Sequence, residues 1–415
     1  MQLLRGLRLV GSSLLLRTGK CTRNLATISM CKRMSTQLTQ LSDEENMMKQ
    51  TVAKFAQEKV APLVKEMDEN CRIDQSIVDA VFEQGFMGVE VPQELGGVGG
   101  NFFSVILLVE ELAKVDMSVS GFCDLQMVAV HMLKTYAGQA LQQKYLPMLA
   151  KNMVGCVCLS EPSCGSDAFA LQTKADKQGE HYVINGEKAW ITNAGRGGVF
   201  LVMANVDFSK GHKGITAFAV DRDTPGLSVL KRTNQMGLHA VSTHPVMFDN
   251  VKVHESQVVG EVGKGYKYAI ETLNIGRIGI AAQMLGLAEG ALAHTMPYLK
   301  ERKAFGQPIG QFQAMQHQYA NLATQIEAVR MLTYNAARLK ENGQPCIKEA
   351  AMAKYYAAEV AANTASRCIE LVGGVGFTRE FPLEKYYRDV KAGQIYEGTA
   401  NIQLNTIANL IWNEL

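Results

Sequence analysis

The sequence predicts an α+β protein of three consecutive parts: a helical domain, a β-domain and a second helical domain. Apolar residues recur at helical spacing over 43–154 and again over 265–415, whereas 155–264 holds short β-type runs separated by turn signals. Because the strands are confined to the middle and do not alternate with helices, a βαβ Rossmann fold is disfavoured. A chain of 415 residues is long enough for two or three domains.

Residues 1–33 are predicted to be a mitochondrial transit peptide, which places the mature protein in the mitochondrial matrix. The segment is rich in Leu, Ser and Thr, and its apolar run at 12–16 is too short for a secretory signal. A disordered basic tail is the alternative. The sequence does not determine the cleavage point. Basic residues occur throughout, and no acidic residue precedes Asp43: Arg5, Arg8, Arg17, Lys20, Arg23, Lys32 and Arg33.

Composition excludes several classes of protein. A net charge of +2 gives no indication of a nucleic-acid or anionic-membrane partner, and no apolar run reaches the length of a membrane span. The cysteines are scattered, which in a reducing compartment indicates free thiols. Cys156, Cys158 and Cys164 lie close together, but no matching distal pair or histidine set accompanies them, so no metal site is expected.

Local signals justify the elements in order. Ser42 and Glu45 form a capping box ahead of the first helix. Residues 181–184 and 187–191 are predicted to pair as a hairpin across Asn185-Gly186, which suits a type I′ turn. Further strands are expected at 199–204, 215–220 and 246–253, with a turn at 223–226. Apolar periodicity over 278–292 and 322–332 predicts two long C-terminal helices.

Two runs in the β-domain offer groups that suit a planar or phosphorylated ligand. The run 158–167 (CLSEPSCGSD) combines small residues, hydroxyls and exposed backbone N–H groups, which permit close approach and hydrogen bonding. The run 190–192 (WIT) ends a strand with a large aromatic plane and a hydroxyl. Taken singly, the first is better explained as a surface turn and the second as a core tryptophan.

Two runs in the C-terminal part have the same ambiguity. The run 302–309 (RKAFGQPI), followed by Phe312-Gln313, has an arginine whose charged fork suits a pyrophosphate. Its ordinary explanation is a helix end capped by Gly306. The run 370–377 (ELVGGVGF) allows close backbone approach at its glycines, and its ordinary explanation is also a helix end.

The run 394–401 (QIYEGTAN) places Glu397 between an aromatic residue and a glycine, just ahead of a predicted helix. A carboxylate in this position can act as a base toward a ligand lying on the open glycine side. An isolated glutamate near a helix start more often complements the helix dipole.

The five runs together occur in the order and spacing of the acyl-CoA dehydrogenase family, and the chain resembles that family from residue 43 to 415. Within the family it is most similar to the short/branched-chain (2-methylacyl-CoA) branch, as in 110–116 (EELAKVD), 276–286 (GRIGIAAQMLG) and 401–407 (NIQLNTI). The resemblance implies an N-terminal helical domain, a middle β-domain and a C-terminal four-helix bundle. It also implies a FAD cofactor shared between subunits, and hence an obligate oligomer, which in this family is usually a homotetramer.

The resemblance assigns residues to the cofactor and to the substrate. Some of the FAD-binding residues would contact the FAD of a neighbouring subunit. The residues implied to bind FAD are Val157, Cys158, Leu159, Ser160, Glu161, Pro162, Ser163, Cys164, Gly165, Ser166, Trp190, Ile191, Thr192, Arg302, Gln313, Glu370, Leu371, Val372, Gly373, Gly374, Thr399, Ala400 and Asn401. The residues implied to bind the thioester are Ser166, Tyr266, Asn274, Ile275, Gly276 and Arg277.

The resemblance also implies the reaction. Glu397 would remove the α-proton of an acyl-CoA while the β-hydride passes to flavin N5, leaving a trans-2-enoyl-CoA in fatty-acid or branched-chain amino-acid degradation. The backbone N–H of Glu397 and a ribityl hydroxyl of FAD would hold the thioester oxygen. Some members carry their base immediately before the arginine that corresponds to Arg277; here that residue is Gly276, which leaves Glu397 as the base. We expect Gly276→Glu to discriminate against 2-methylbutanoyl-CoA.

Alternatives for direction and class remain open at this point. Electron-transfer flavoprotein is the implied electron acceptor, or the donor if the same site runs in reverse as an enoyl-CoA reductase. An acyl-CoA oxidase is disfavoured because that branch usually has an additional C-terminal domain and peroxisomal targeting. A non-catalytic acyl-CoA-binding or assembly factor is disfavoured because Glu397 and the flavin motifs are retained.

Overall fold

Helices occupy both ends of the chain and an antiparallel-rich sheet lies between them in sequence. The computed structural model describes residues 38–414, so the predicted transit peptide over 1–33 lies outside the described residues. The cysteines within the described range are all free, as predicted. No helix in this range is both long and apolar enough to cross a membrane.

The N-terminal helices follow the predicted periodicity. The capping box is confirmed at the first of them: Ser42 Oγ accepts a hydrogen bond from the Glu45 backbone N–H, and Glu45 Oε2 accepts one from the Ser42 N–H. The six helices are α1 (Asp43–Phe55), α2 (Val64–Glu69), α3 (Gln75–Glu83), α4 (Phe102–Ala113), α5 (Met117–Tyr136) and α6 (Gln139–Lys151).

An eight-stranded sheet forms the middle of the chain. Its main path has the order β6-β7-β3-β2-β4-β5-β8, and β1 pairs in parallel with β4 beside that path. The strands are β1 (Val154–Cys158), β2 (Lys174–Gln178), β3 (His181–Thr192), β4 (Gly197–Asn205), β5 (Ile215–Asp221), β6 (Leu227–Val229), β7 (Thr243–His254) and β8 (Val258–Val259).

The predicted hairpin across Asn185-Gly186 is wrong. These two residues lie inside the continuous strand β3, at a shift in its register with β7, and the actual hairpin joins β2 to β3 through Gly179. Gly186 is needed because of crowding: a Cβ there would lie 2.5 Å from Thr173 Oγ1. The Asn-Gly pair therefore marks a close approach within a strand, a use that Gly has inside strands.

Five helices complete the chain, and they confirm the implied bundle. Helices α7, α8, α9 and α11 pack together, and α10 lies against α7 and α9. A short hairpin of β9 (Lys303–Ala304) and β10 (Gln307–Pro308) separates the first two, so Gly306 turns a hairpin and does not cap a helix. The helices are α7 (Gly265–Glu301), α8 (Gln313–Glu341), α9 (Ile347–Val372), α10 (Leu383–Gly393) and α11 (Ala400–Glu414).

The two helical parts share one hydrophobic core although the sheet separates them in sequence. Phe103 of α4, Phe122 of α5 and Ile278 of α7 all belong to the same buried cluster. One face of the sheet packs against α5 and α6, and its other face holds a cluster of its own. Because α5 contacts both α7 and the sheet, the end of the sheet and the C-terminal helices lie next to each other at the site described below.

Candidate active site

Glu397 lies in the turn between α10 and α11, and its backbone is left-handed. Its φ is +53°, and that of the following Gly398 is +88°. A left-handed conformation costs a residue with a Cβ about 1 kcal/mol or more, so surrounding contacts must hold it. The sequence predicted a glutamate ahead of a helix, and the structure adds a strained turn that directs its side chain.

The Glu397 side chain lies against a glycine on α7. A Cβ at Gly276 would be 2.9 Å from Glu397 Oε2 and 3.2 Å from its carboxyl carbon. Any side chain at this position would therefore displace the carboxylate. The structure brings together the two residues that the sequence singled out, the base candidate and the glycine where a rival base would stand.

The Glu397 residue is half-buried, and one of its two carboxylate oxygens is fully shielded from solvent. Its Oε2 atom is buried and has no hydrogen-bond partner within residues 38–414. Burial raises the pKa of Glu397 to about 7, against the opposing effect of the positive charges of Arg277 and Lys354. Arg277, on α7, donates a hydrogen bond to Asn274 Oδ1 at 3.0 Å. A carboxylate in this state is a stronger base than a solvated one.

A second carboxyl group, that of Asp124 on α5, lies against α7 one helical turn beyond Gly276. Asp124 is buried against Gly279, and its Oδ2 accepts a hydrogen bond from Gln283 Nε2 at 3.2 Å. Gln283 Oε1 in turn accepts one from the Tyr396 hydroxyl. Burial and the negative charge of Glu397 raise the pKa of Asp124 to about 8. Of the two carboxyl groups, Glu397 therefore has the lower pKa and loses its proton first.

The loop after β1 is shaped by a buried ion pair. Lys188 is fully buried, and its Nζ donates to Glu161 Oε1 at 2.8 Å and to the Leu159 carbonyl at 3.0 Å. Glu161 also accepts from the backbone N–H groups of Gln172 and Thr173 at 2.6 and 2.9 Å. Within the predicted cofactor loop, the Glu161 carboxylate is thus occupied by the protein's own donors.

The rest of this loop has a buried part and an exposed part. Cys158 and Cys164 are buried, and Val157, Leu159 and Ser160 are half-buried. The exposed part, called the rim below, consists of Pro162, Ser163, Gly165 and Ser166. The backbone N–H groups of Gly165 and Ser166 meet no acceptor in the described chain, and a Cβ at Gly165 would meet open space. The rim is therefore free to donate hydrogen bonds to a ligand.

Trp190 stands beside this rim at an irregularity of β3. The register between β3 and β7 shifts between Lys188 and Ile191, and Trp190 takes a φ of +63°. Bulges of this kind redirect a side chain, and the indole is 63% exposed, which contradicts a core tryptophan. Ala189 N–H donates to the Ser160 carbonyl at 2.9 Å, which ties the strand to the loop. Ile191 is buried and Thr192 half-buried.

An exposed aromatic plane, open glycine and unpaired N–H donors together form a set that fits the flavin ring system of FAD. A planar heterocycle with ring nitrogens and carbonyl oxygens needs a flat apolar partner and backbone donors, and both are present here. In the described range no cluster of His, Cys, Asp or Glu is arranged to hold a metal ion.

The remaining predicted FAD residues lie at helix ends. Arg302 follows α7, Gln313 begins α8, and Glu370 to Gly374 end α9. Arg302, Gln313, Glu370, Gly373 and Gly374 are exposed, whereas Leu371 and Val372 are buried in the core. No hydrogen bond in residues 38–414 joins this set to the Glu397 turn or to the 157–166 loop. Thr399 Oγ1 accepts from Ile402 N–H at the start of α11, where Ala400 and Asn401 follow.

The predicted substrate residues are concentrated on α7. Ile275 and Gly276 are buried, while Asn274 and Arg277 are half-buried and hydrogen-bonded to each other. Tyr266, in the first turn of α7, stacks at a tilt on Phe169 with ring centroids 4.0 Å apart. Phe169 follows Ser166 in the exposed loop, so the helix and the loop meet at this contact.

Sequence reasoning missed three residues around Glu397: Asp124, Lys354 and Gln403. A signal was present for two of them. Asp124 interrupts the apolar run 119–130, and Lys354 stands between the buried alanines of α9. Charged residues in such runs are rarely fully buried without a partner. The partner is not readable from the sequence, because each lies on a different helix.

Comparison with known proteins identifies the fold. Models of the acyl-CoA dehydrogenase N-terminal, middle and C-terminal domains match residues 42–153, 156–251 and 263–411. The chain is 55% identical over 375 residues to a mitochondrial short/branched chain specific acyl-CoA dehydrogenase of Bos taurus, covering 90% of this chain and 87% of that protein.

Solved structures agree. Butyryl-CoA dehydrogenase of Megasphaera elsdenii matches with a TM-score of 0.88 and 37% identity, covering 90% of this chain and 99% of that one. A chain from a structure of the electron transferring flavoprotein of Acidaminococcus fermentans matches with a TM-score of 0.88 and 39% identity, with the same coverage. The chain therefore belongs to the acyl-CoA dehydrogenase family and is a FAD-dependent oxidoreductase of acyl-CoA thioesters in the mitochondrial matrix.

Proposed function

We propose that the chain dehydrogenates short or 2-methyl-branched acyl-CoA thioesters to trans-2-enoyl-CoA, with Glu397 as the catalytic base. The observation that carries the proposal is the buried Oε2 of Glu397, which lacks a hydrogen-bond partner in the described chain. A carboxylate oxygen that has no donor of its own beside Gly276 can accept a proton from a ligand that lies against this turn. The similarity to the short/branched chain specific enzyme of Bos taurus supports the substrate class.

Two groups of the Glu397 residue act on the substrate. The carboxylate accepts the α-proton, and the backbone N–H, which donates to no acceptor within residues 38–414, binds the thioester oxygen as negative charge develops there. The cations of Arg277 and Lys354 favour the ionised form of the base before the reaction. When bound, FAD supplies the acceptor for the β-hydride.

The groups that would hold FAD fall into two sets. The exposed rim of the 157–166 loop and residues 190–192 would hold the flavin ring, because donors and an aromatic plane converge there. We assign Arg302, Gln313, the 370–374 segment and the 399–401 segment to the rest of the cofactor, with the first three acting on a neighbouring subunit's FAD. Exposed Phe305 (96%) and Phe377 (87%) beside these helix ends support their burial by a second copy in a homotetramer.

We assign Ser166, Tyr266 and residues 274–277 to the acyl-CoA. The domain boundaries that we propose are 43–154, 155–264 and 265–415. Electron-transfer flavoprotein is the proposed electron acceptor, which the similarity to a chain in the Acidaminococcus fermentans structure supports. The comparisons give no support to the reverse, reductive direction, since the similar proteins are named as dehydrogenases.

Substrate choice can be tested through Gly276. Anaerobic addition of butanoyl-CoA or 2-methylbutanoyl-CoA to the purified flavoprotein is expected to bleach the flavin absorbance. In Gly276→Ala the new methyl would lie 2.9 Å from Glu397 Oε2, so the carboxylate shifts and activity falls with both substrates, and the methyl also takes up space beside the base. We expect kcat/KM for the 2-methyl-branched substrate to fall about tenfold more than that for the straight chain. Equal losses for both substrates, or no bleaching of the wild type by either, would contradict the proposal.

The pH dependence follows from the raised pKa of Glu397. The base must be ionised, so kcat/KM is lost as pH falls through the pKa of the folded protein. Because that pKa is about 7, the decline is expected near neutral pH and not near the ordinary glutamate value. Below it, activity falls about tenfold per pH unit. The measurement is kcat/KM with butanoyl-CoA between about pH 5.5 and 9; a flat profile down to pH 5.5 excludes a desolvated base.

A further inference from the structure

The turn that carries Glu397 is held by a side chain from α11. Gln403 is fully buried, and its Nε2 donates to the Glu397 carbonyl at 3.0 Å and to the Gly398 carbonyl at 2.9 Å. A Cβ at Gly398 would lie 2.6 Å from that nitrogen, so the glycine is needed for this close contact as well as for its positive φ. Gln403 accounts for both carbonyls of the left-handed turn without any charge.

A lysine from α9 binds the same turn. Lys354 is fully buried, and its Nζ donates to the Gly398 carbonyl at 2.6 Å, which is its only hydrogen bond within residues 38–414. The Gly398 carbonyl therefore accepts two hydrogen bonds, one from Lys354 and one from Gln403. Burying an ammonium group for a redundant hydrogen bond is unfavourable, because the desolvation of the charge is not repaid by a neutral acceptor. The charge itself must therefore have an electrostatic partner.

Glu397 is the negative charge that acts most strongly on Lys354. Burial lowers the pKa of Lys354 to about 8, and the positive charge of Arg277 also lowers it. The negative charges of Glu397 and Glu359 have the opposite effect and raise it. The charged groups that face Glu397 come from three helices: Asp124 on α5, Arg277 on α7 and Lys354 on α9. Of these three groups, Arg277 and Lys354 are the cations that act on Glu397. Arg277 also donates a hydrogen bond to Asn274, whereas Lys354 donates one to the Gly398 carbonyl of the turn itself.

We propose that Lys354 is a positioning residue for Glu397: it fixes the Gly398 carbonyl so that the turn presents the carboxylate at Gly276, and its charge favours the ionised base. Gln403 shares the first task and not the second. The inference rests on the proposed role of Glu397 as the base.

The experiment compares four variants of the FAD-loaded enzyme. Lys354→Met removes the donor and the charge at similar length, and Lys354→Gln keeps a donor without the charge. Gln403→Leu removes two uncharged hydrogen bonds from the same turn. Lys348→Met is the matched control, because it removes a charge from the same helix at a surface pair with Glu414. Flavin content and melting temperature are measured for each.

Two readouts separate an effect on the base from an effect on folding. The first is the pH profile of kcat/KM. The second is exchange of the α-protons, in D2O, of an acyl-CoA analogue with sulfur at the β position. Such an analogue has no β-hydride to give, so the base removes an α-proton and solvent deuterium returns to the same carbon with no net oxidation. Exchange reports the base alone.

We expect the acidic limb of both profiles to move up by about one pH unit in Lys354→Met and Lys354→Gln, because loss of the cation raises the pKa of Glu397. The rate at about pH 6.5, divided by the rate at about pH 9, should then be about tenfold lower than in the wild type. Gln403→Leu is expected to lower kcat at every pH without moving the limb. Lys348→Met should match the wild type.

Failure of the inference and failure of the proposed function are distinguishable. An unmoved limb in Lys354→Met overturns the inference, and if that variant does not fold, an unmoved limb in Lys354→Gln does so. In either case, loss of α-proton exchange in Glu397→Gln would leave the proposed base intact. Retention of exchange in Glu397→Gln would instead overturn the proposed function, whatever the Lys354 variants show.

Discussion

Glu397→Gln is expected to lower kcat by at least about 10³-fold while the protein keeps its FAD. Glutamine has the same size and reach as glutamate, so the contact with Gly276 is preserved, but its amide cannot accept the α-proton. General base catalysis contributes about 10² to 10⁴ in rate. The other carboxyl group at this site, Asp124, is buried against Gly279 and hydrogen-bonded to Gln283, so it does not take the place of Glu397 beside Gly276. Anaerobic addition of butanoyl-CoA should leave the flavin absorbance unbleached.

The matched control is Glu327→Gln, an exposed glutamate of α8 that pairs with Arg330 on the surface. This variant should retain wild-type turnover and flavin content. Normal turnover in Glu397→Gln would remove Glu397 from the mechanism. Loss of FAD in Glu397→Gln would show that the carboxylate is needed to bind the cofactor and not only to accept the proton.

Lys188→Met is expected to have the largest effect on stability. The variant leaves the Glu161 carboxylate buried without its charge partner, and breaking a buried ion pair from one side costs about 3–5 kcal/mol. Because Glu161 also holds the backbone of Gln172 and Thr173, the 157–166 loop should lose its shape. We therefore expect a lower free energy of unfolding together with reduced flavin content, measured by urea unfolding and by absorbance.

Two variants calibrate that result. Lys174→Met removes one partner of an exposed pair with Asp176 on β2, and it should change the free energy of unfolding by less than about 1 kcal/mol. Combining Lys188→Met with Glu161→Gln should recover a large part of the loss, since no charge is then left unpaired. Equal destabilisation by Lys188→Met and Lys174→Met would show that the buried pair does not organise the loop.

Much of the fold was predictable from interactions between residues close in sequence. The capping box of Ser42 and Glu45 spans three residues, and the long C-terminal helices follow from apolar spacing along one face. The hairpin prediction failed at Asn185-Gly186 because the same dipeptide satisfies two different needs. A turn needs its positive φ, whereas β3 needs a position without a Cβ beside Thr173. Only the neighbour across the fold distinguishes them.

The candidate site shows the same division. Order and spacing of the motifs were sufficient to single out Glu397 and to exclude a base at Gly276, and the structure then placed the two side by side. The exposure of Trp190 was not predictable, because it depends on a register shift between β3 and a strand more than fifty residues away. The buried role of Glu161 depends likewise on Lys188, 27 residues later in the chain.

The sequence by itself determined the family and the three-part order of helices and strands, and it singled out the residue that we propose as the base. Only the tertiary structure decided the surroundings on which the proposed role of Glu397 rests: its buried carboxylate oxygen, the buried Asp124 and the buried ammonium group of Lys354. The physical reason is distance along the chain. Lys354 reaches Gly398 across 44 residues, and Asp124 meets Gln283 across 159, so these electrostatic contacts exist only after the helices have packed.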